Sequence, residues 1–297
     1  MIRRCLGAAM LAGLAVVMVW LMAGYALPAG AAPASVTVTM LAQGQVTALP
    51  AGKIFDSILE FRQNPGADFG PHAHVPAIVY TLSGTSTISF AGGPQKAVGK
   101  GQAAFIPGLV THTHQNLDGR LGAAAIAIGL IALAILLCAA TLLRGIRRSI
   151  AVAGLSVLLI VGGALPVLGA TSNDYYLFAI RSPVERDRAM PRPDGWVEYL
   201  SPDLNPVPTG PYVETLSAIS VPAGATYDAP LVQGPQIVVV LQGNATVQVQ
   251  GETSQLNARE ATMAQAGQTL IILNSSGVPL QALDFAVMSL AASPAPA

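Results

Sequence analysis

Charge is scarce in this chain. Of its 297 residues only 10% are Asp, Glu, Lys or Arg, against roughly 25% in soluble domains, while 52% belong to the hydrophobic set. With a mean hydropathy of +0.55, that balance excludes a disordered chain and a wholly soluble one. Fifteen basic residues are cancelled by fifteen acidic ones, so a nucleic-acid partner has no compositional support. Cysteine is nearly absent. Cys5 and Cys138 both lie inside apolar runs, which excludes a disulfide framework whatever the compartment. Histidine is confined to four positions, none of them beyond residue 114.

Three long apolar stretches carry no charge: Cys5–Leu27, Leu121–Leu143 and Ser149–Ala170, each 22 or 23 residues long. At about 1.5 Å per residue a helix of that length crosses a hydrocarbon core of about 30 Å, so 121–143 and 149–170 read as a transmembrane hairpin. Small residues such as Gly122 to Ala125, Gly162 and Gly163 allow close helix packing. Residues 1–34 read either as a signal peptide, with Arg3 and Arg4 as its basic start and Ala29-Gly30-Ala31 as its cleavage site, or as an N-terminal membrane anchor. Arg144, Arg147 and Arg148 crowd the loop 144–148, and the positive-inside rule places it, with Arg3 and Arg4, in the cytoplasm. Every acidic residue falls in 35–120 or 171–297. A multi-pass protein of the cell membrane is expected, with both large regions outside and lipid as a partner.

The outer regions read as β-structure. In 35–120 short strands are expected at Ile78–Leu82, Ser86–Phe90 and Ala103–Ile106, separated by turns such as Ala91-Gly92-Gly93-Pro94. In 215–297 the same texture returns at Gln236–Leu241, Ala245–Val249 and Thr269–Leu273. Between the hairpin and the second region, 171–214 carries seven prolines from Pro183 to Pro211 and reads as an extended linker or lid.

The histidines come as two pairs, His72-Ala73-His74 and His112-Thr113-His114. Residues two apart in a strand point to one face, so each pair aims at one centre. Imidazole is a ligand for zinc, copper, iron or nickel, and three convergent imidazoles leave coordination positions open.

These residues resemble a family pattern. Gly66, five residues, His72-x-His74 and later Gly84 are similar to the first motif of the cupin superfamily; Gly101, five residues, Pro107, then His112 and Asn116 resemble the second. The resemblance spans about Phe61–Asp118. It implies a jelly-roll β-barrel holding a divalent transition metal (Fe, Zn, Mn, Ni or Cu) on His72, His74 and His112. His114 is open between a fourth ligand and a residue that lines the cavity. Two positions depart: Ala77 stands where the family has its glutamate ligand, and Leu109 where it has a glycine.

The second outer region resembles a cupin without its metal. Pairing Gly84 with Gly243 and Asn116 with Asn274 puts Leu270 at the place of His112, and Gly234–Gly243 is similar to the C-terminal cupin of phosphomannose isomerases. The expected architecture is therefore all-β: two extracytoplasmic cupin barrels, 35–120 and 215–297, joined by a transmembrane α-helical hairpin, packed side by side and possible contacts for a homodimer. Two functions stay open. One is a membrane-anchored module that binds or senses a small-molecule ligand through its metal. The alternative is a metalloenzyme of dioxygenase or isomerase type, in which the metal would polarise a substrate oxygen or activate dioxygen.

Overall fold

The computed structural model describes residues 35–47, 49, 53–118, 128–133, 135, 171–184, 195–200, 203–204 and 211–290. By contacts the chain divides into Met1–Ser35 and Val36–Ala297, and every described strand lies in the second unit. The strands of the first half are β1 (Thr37–Val46), β2 (Phe55–Gln63), β3 (Ala77–Ser83), β4 (Thr85–Phe90), β5 (Gln95–Gly99), β6 (Ala103–Ile106) and β7 (His112–Gln115). Beyond residue 170 follow β8 (Asn173–Arg181), β9 (Gly195–Leu200), β10 (Tyr212–Val221), β11 (Thr226–Asp228), β12 (Gln236–Gln242) and β13 (Ala245–Val249). Last come β14 (Glu252–Leu256), β15 (Ala261–Ala264), β16 (Leu270–Leu273) and β17 (Leu280–Ser289).

They form two antiparallel barrels. In the first, the sheet β6-β3-β8-β2-β9 faces the sheet β5-β4-β7; in the second, β1-β10-β17-β12-β15 faces β11-β16-β13-β14. Each barrel has its own apolar core. Leu59, Phe61, Val79, Ile88, Ile106, Tyr175 and Leu177 fill the first, and Val221, Tyr227, Val238, Val247, Leu270 and Ile272 fill the second. A third cluster, with Ile58, Ile78, Tyr80, Phe178, Leu216, Ile237, Leu283 and Phe285, lies between the two five-stranded sheets. The expected side-by-side packing is thus a sheet-on-sheet contact, with Phe178 of β8 stacked on Phe285 of β17 at 5.4 Å between centroids.

The linear division into 35–120 and 215–297 does not match these sheets. Strand β1 pairs with β10 from Thr37↔Ser220 to Val46↔Tyr212 and belongs to the second barrel. Strands β8 and β9, inside the presumed linker 171–214, pair with β2 and complete the first barrel. The physical reason is burial on both faces. A central strand covered above and below loses its polar alternation, and Tyr175-Tyr176-Leu177-Phe178-Ala179-Ile180 has none. The seven prolines of 171–214 all come after Arg181 in the sequence, so none interrupts β8.

The apolar stretch 119–170 is an insertion in one connection of the first barrel. In the second barrel β16 leads to β17 through 274–279, and Asn274 holds that turn by donating from Nδ2 to the carbonyls of Val221 and Val278, both at 2.8 Å. In the first, Asn116 at the end of β7 donates from Nδ2 to the carbonyls of Gln63 at 3.1 Å and Thr171 at 2.8 Å. The Thr171 hydroxyl donates to Asp118 at 3.0 Å. The two ends of the insertion therefore stand side by side. Within it, residues 128–133 and 135 are helical, with Ile128, Leu130, Ile131 and Ile135 exposed. The rest of the expected spans 121–143 and 149–170, the loop 144–148 and the segment 1–34 lie outside the described residues. Among the described residues no helix is long and apolar enough to cross a membrane.

At Gly44 the barrels approach closely. A Cβ built there would lie 2.2 Å from the ring of Phe105 on β6, so β1 can cover the first barrel's sheet only with glycine at this point. Overpacking of a closed layer costs roughly 1–3 kcal/mol. Gly44→Ala is expected to lower stability by about that amount, read as a shift of the urea midpoint, and an unchanged midpoint would contradict the packing.

Candidate metal centre

The four histidines converge. Their ring nitrogens offer one ligand atom each, all within 4.8 Å of one another. His112 and His114 alternate on the inner face of β7, both nearly inaccessible to solvent. His72 and His74 are not on a regular strand. They lie in the run between β2 and β3, which is tied to β7 by an isolated antiparallel bridge: the His72 and His112 backbones exchange N–H···O=C bonds of 3.0 and 2.9 Å. Asp68 shapes that run, accepting the Gly70 N–H at 2.9 Å and the Gln115 side chain at 2.8 Å. Gly70, at φ +58°, turns its carbonyl towards the ring of His72.

Three of the rings are clamped in one tautomer. Nδ1 of His72 donates to the Gly70 carbonyl at 2.9 Å, Nδ1 of His112 to the Val110 carbonyl at 2.7 Å, and Nδ1 of His74 to the Val75 carbonyl. A carbonyl only accepts, so each Nδ1 carries the proton and each Nε2 keeps its lone pair. Nε2 of His74 and Nε2 of His112 then face each other at 3.1 Å. Neither has a proton to offer the other. Burial pushes His74 down to about 3, against the pull of the Val75 carbonyl, and burial also lowers His112. Protonation is therefore a poor way to relieve the repulsion, whereas a cation between the lone pairs relieves it directly. Two nitrogen donors at about 2.0–2.1 Å from one ion stand roughly 3 Å apart. The residues present fit a metal ion.

His114 differs from the other three. Its Nδ1 is buried without a partner, burial lowers it well below the ordinary imidazole range, and no carbonyl clamps it. Stacking holds the ring instead: it lies over Tyr175 at 5.5 Å with an interplanar angle of 7°, and Tyr175 stacks on Phe61 at 5.3 Å. The cavity beside the cluster is lined by Phe61, Phe69, His72, His74, His114, Tyr175 and Leu177. Sequence reasoning had not singled out Tyr175 and Leu177, because β8 lay in the presumed linker.

The two departures from the family pattern have clear places. Ala77 is fully buried in the first barrel's core, so the position faces inward as a ligand would, but no carboxylate comes from it. Leu109 keeps a left-handed φ of 61°, a conformation that costs a residue with a Cβ roughly 1–2 kcal/mol. Its N–H donates to the His74 carbonyl at 2.8 Å, and its side chain is 85% exposed beside the histidines.

In the second barrel the corresponding region is built the other way round. Leu270 and Ile272 replace the pair on β7, and Gln236, seven residues before Gly243 as Ala77 is before Gly84, carries the polar atoms. Its Nε2 donates to both oxygens of Asp284 at 2.9 and 2.8 Å, with the Tyr227 hydroxyl 3.5 Å from one of them. Burial raises Asp284 to about 6, although both neighbours oppose it.

No family model matches the chain, and no curated protein does. Solved structures do resemble it. Oxalate decarboxylase from Bacillus subtilis aligns at TM-score 0.46 and 12% identity over 85% of this chain and 76% of that one. AerE from Microcystis aeruginosa aligns at 0.45 and 12% over 84% and 99%, and a cupin 2 conserved barrel domain protein from Leptotrichia buccalis at 0.39 and 12% over 86% and 91%.

The Asp284 cluster yields a pH dependence of stability. A carboxyl raised from 3.8 to about 6 in the folded state stabilises the fold while protonated, and that contribution is lost as pH rises from about 4 through about 6. A shift of that size is worth roughly 3 kcal/mol. Asp284→Asn should remove this downward contribution to the slope of the urea midpoint across the window; an unaltered slope would contradict the assignment.

Proposed function

We propose that this chain is a membrane-anchored, two-barrel cupin protein that binds a divalent transition metal in its first barrel and captures a small ligand there on the outer face. The observation that carries the metal reading is the pair of Nε2 lone pairs, fixed by backbone carbonyls and set 3.1 Å apart. His72, His74 and His112 would hold the ion, and His114, which no carbonyl clamps, lines the cavity. Three neutral imidazoles leave the ion's charge uncompensated by protein, so an anionic ligand or hydroxide completes its sphere. Binding is preferred over catalysis because the cavity lining carries aromatic, aliphatic and imidazole groups and no carboxylate.

Anchoring is supported by the clamp of Asn116, Asp118 and Thr171, which brings together the two ends of 119–170 as an antiparallel pair of spans requires. The outward placement of both barrels rests on the arginines of 144–148.

Metal content of the full-length protein, measured by mass spectrometry, tests the reading. Stoichiometric metal is expected in the wild type and none in the triple variant His72→Ala, His74→Ala, His112→Ala. His114→Ala should retain most of it. Ala77→Glu should tighten binding by supplying the missing carboxylate from an inward-facing position. Full occupancy of the triple variant would refute the site.

A further inference from the structure

The layer between the barrels is apolar except for a few acids that β2 and β10 turn into it. Ile54 and Ile58 belong to this layer, as do Tyr212 and Leu216. Strand alternation therefore places Asp56 and Glu60 of β2 and Glu214 of β10 on the same faces. Glu60 confirms the direction, since its carboxylate pairs with Arg259 of the second barrel. Among the described residues Asp56 and Glu214 have no such cation. Asp56 is 0% exposed; one oxygen accepts the Ser57 N–H at 2.8 Å and Oδ2 has no partner. Glu214 is 1% exposed, and its Oε2 has no partner either. Tyr212, two residues along the same face of β10, is as deeply buried, with an unpartnered hydroxyl.

Among the described residues the surroundings offer no countercharge. From β8 the layer receives Tyr176, and from β3 Tyr80. Strands β1, β6, β12 and β15 contain no charged residue. Asp284 of β17 bonds Gln236 and Tyr227 on the inner side of the second barrel. Arg181 is engaged with Ser57 and Glu198, and Arg259 serves Glu60, which stands about 13 Å along β2 from Asp56 by strand rise. Burial raises both carboxyls well above the ordinary range, and the charge of Asp56 raises Glu214 further. Ionising the two together would place like charges in a dry layer with nothing to offset them.

We propose that Asp56 and Glu214 form a proton-loaded acid pair that latches the two barrels, un-ionised while the sheets are packed and ionised once the layer opens to water. The latch needs no metal, so it stands apart from the reading of the histidine centre. Its sign follows from linkage. Groups whose folded values lie above their unfolded ones stabilise the packed state at low pH, and the contribution is lost as pH rises through the folded values. Each proton released on opening shifts the equilibrium about tenfold per pH unit towards the open form.

Infrared spectroscopy of the full-length protein at neutral pH reads the protons directly. It is best done in the Asp284→Asn background, which removes the other raised carboxyl. The carbonyl stretch of un-ionised carboxyl groups is expected, reduced in Asp56→Asn and in Glu214→Gln, and gone in the double variant. Between about pH 7 and 9, above the range in which imidazoles titrate, urea midpoints should fall with pH in the parent and stay level in the double variant. Should an amide variant fail to fold, carboxyl-13C aspartate and glutamate in the parent identify the band by its isotope shift. Absence of the un-ionised band at neutral pH, its survival in the double variant, or an equal pH slope in both proteins would overturn the proposal.

Discussion

Strand β8 is buried on both faces, and the rest of the molecule is arranged around that double burial. Its odd-numbered side chains, Tyr175 and Leu177, wall the cavity beside the histidines, while its even-numbered ones, Tyr176, Phe178 and Ile180, form the layer against the second barrel. Neither face can be given up: without the first, His114 loses the ring it stacks on, and without the second, Phe285 loses Phe178. The second barrel is thus structural support for the first as well as a module of its own.

At the histidine cluster the deciding force is between lone pairs rather than between charges. Backbone carbonyls at Gly70, Val75 and Val110 set the protons on Nδ1, and burial works against a second proton on His74 and His112. What results is a preorganised set of electron-pair donors that cannot satisfy one another. Holding a ligating histidine by its other nitrogen fixes ring orientation and raises basicity, so the loop 67–76 and the residues before β7 are as much part of the centre as the imidazoles. The second barrel, with Leu270 and Ile272 at the corresponding places, keeps the shape and discards that donor set.

The clustering of the four histidines was readable from the sequence and the domain organisation much less so. Four histidines in two closely spaced pairs, between glycines at fixed distances, pointed to the cluster, because each pair is local in the sequence. The short strands at 78–82, 86–90, 236–241 and 245–249 could be read for the same reason. Strand order could not. That β1 crosses to the second barrel depends on Gly44 fitting under Phe105, a contact between residues 61 positions apart. That β8 returns to the first barrel was masked by the proline-rich stretch behind it and by an apolar insertion that interrupts the barrel. Asn116 carried the one local hint, since its counterpart Asn274 leads straight into β17, but only the hydrogen bond to Thr171 shows where the chain resumes. Similarly, no periodicity tells a clamped imidazole from an unclamped one, so the difference between His112 and His114 emerged only from the geometry.

X-ray absorption at the edge of the metal carried by the full-length protein tests the central claim most directly, because it counts and identifies the ligands. The account predicts at least three imidazole nitrogens, with the characteristic scattering of their rings, at about 2.0–2.1 Å, and no protein carboxylate. A first shell with fewer than three imidazoles would contradict it.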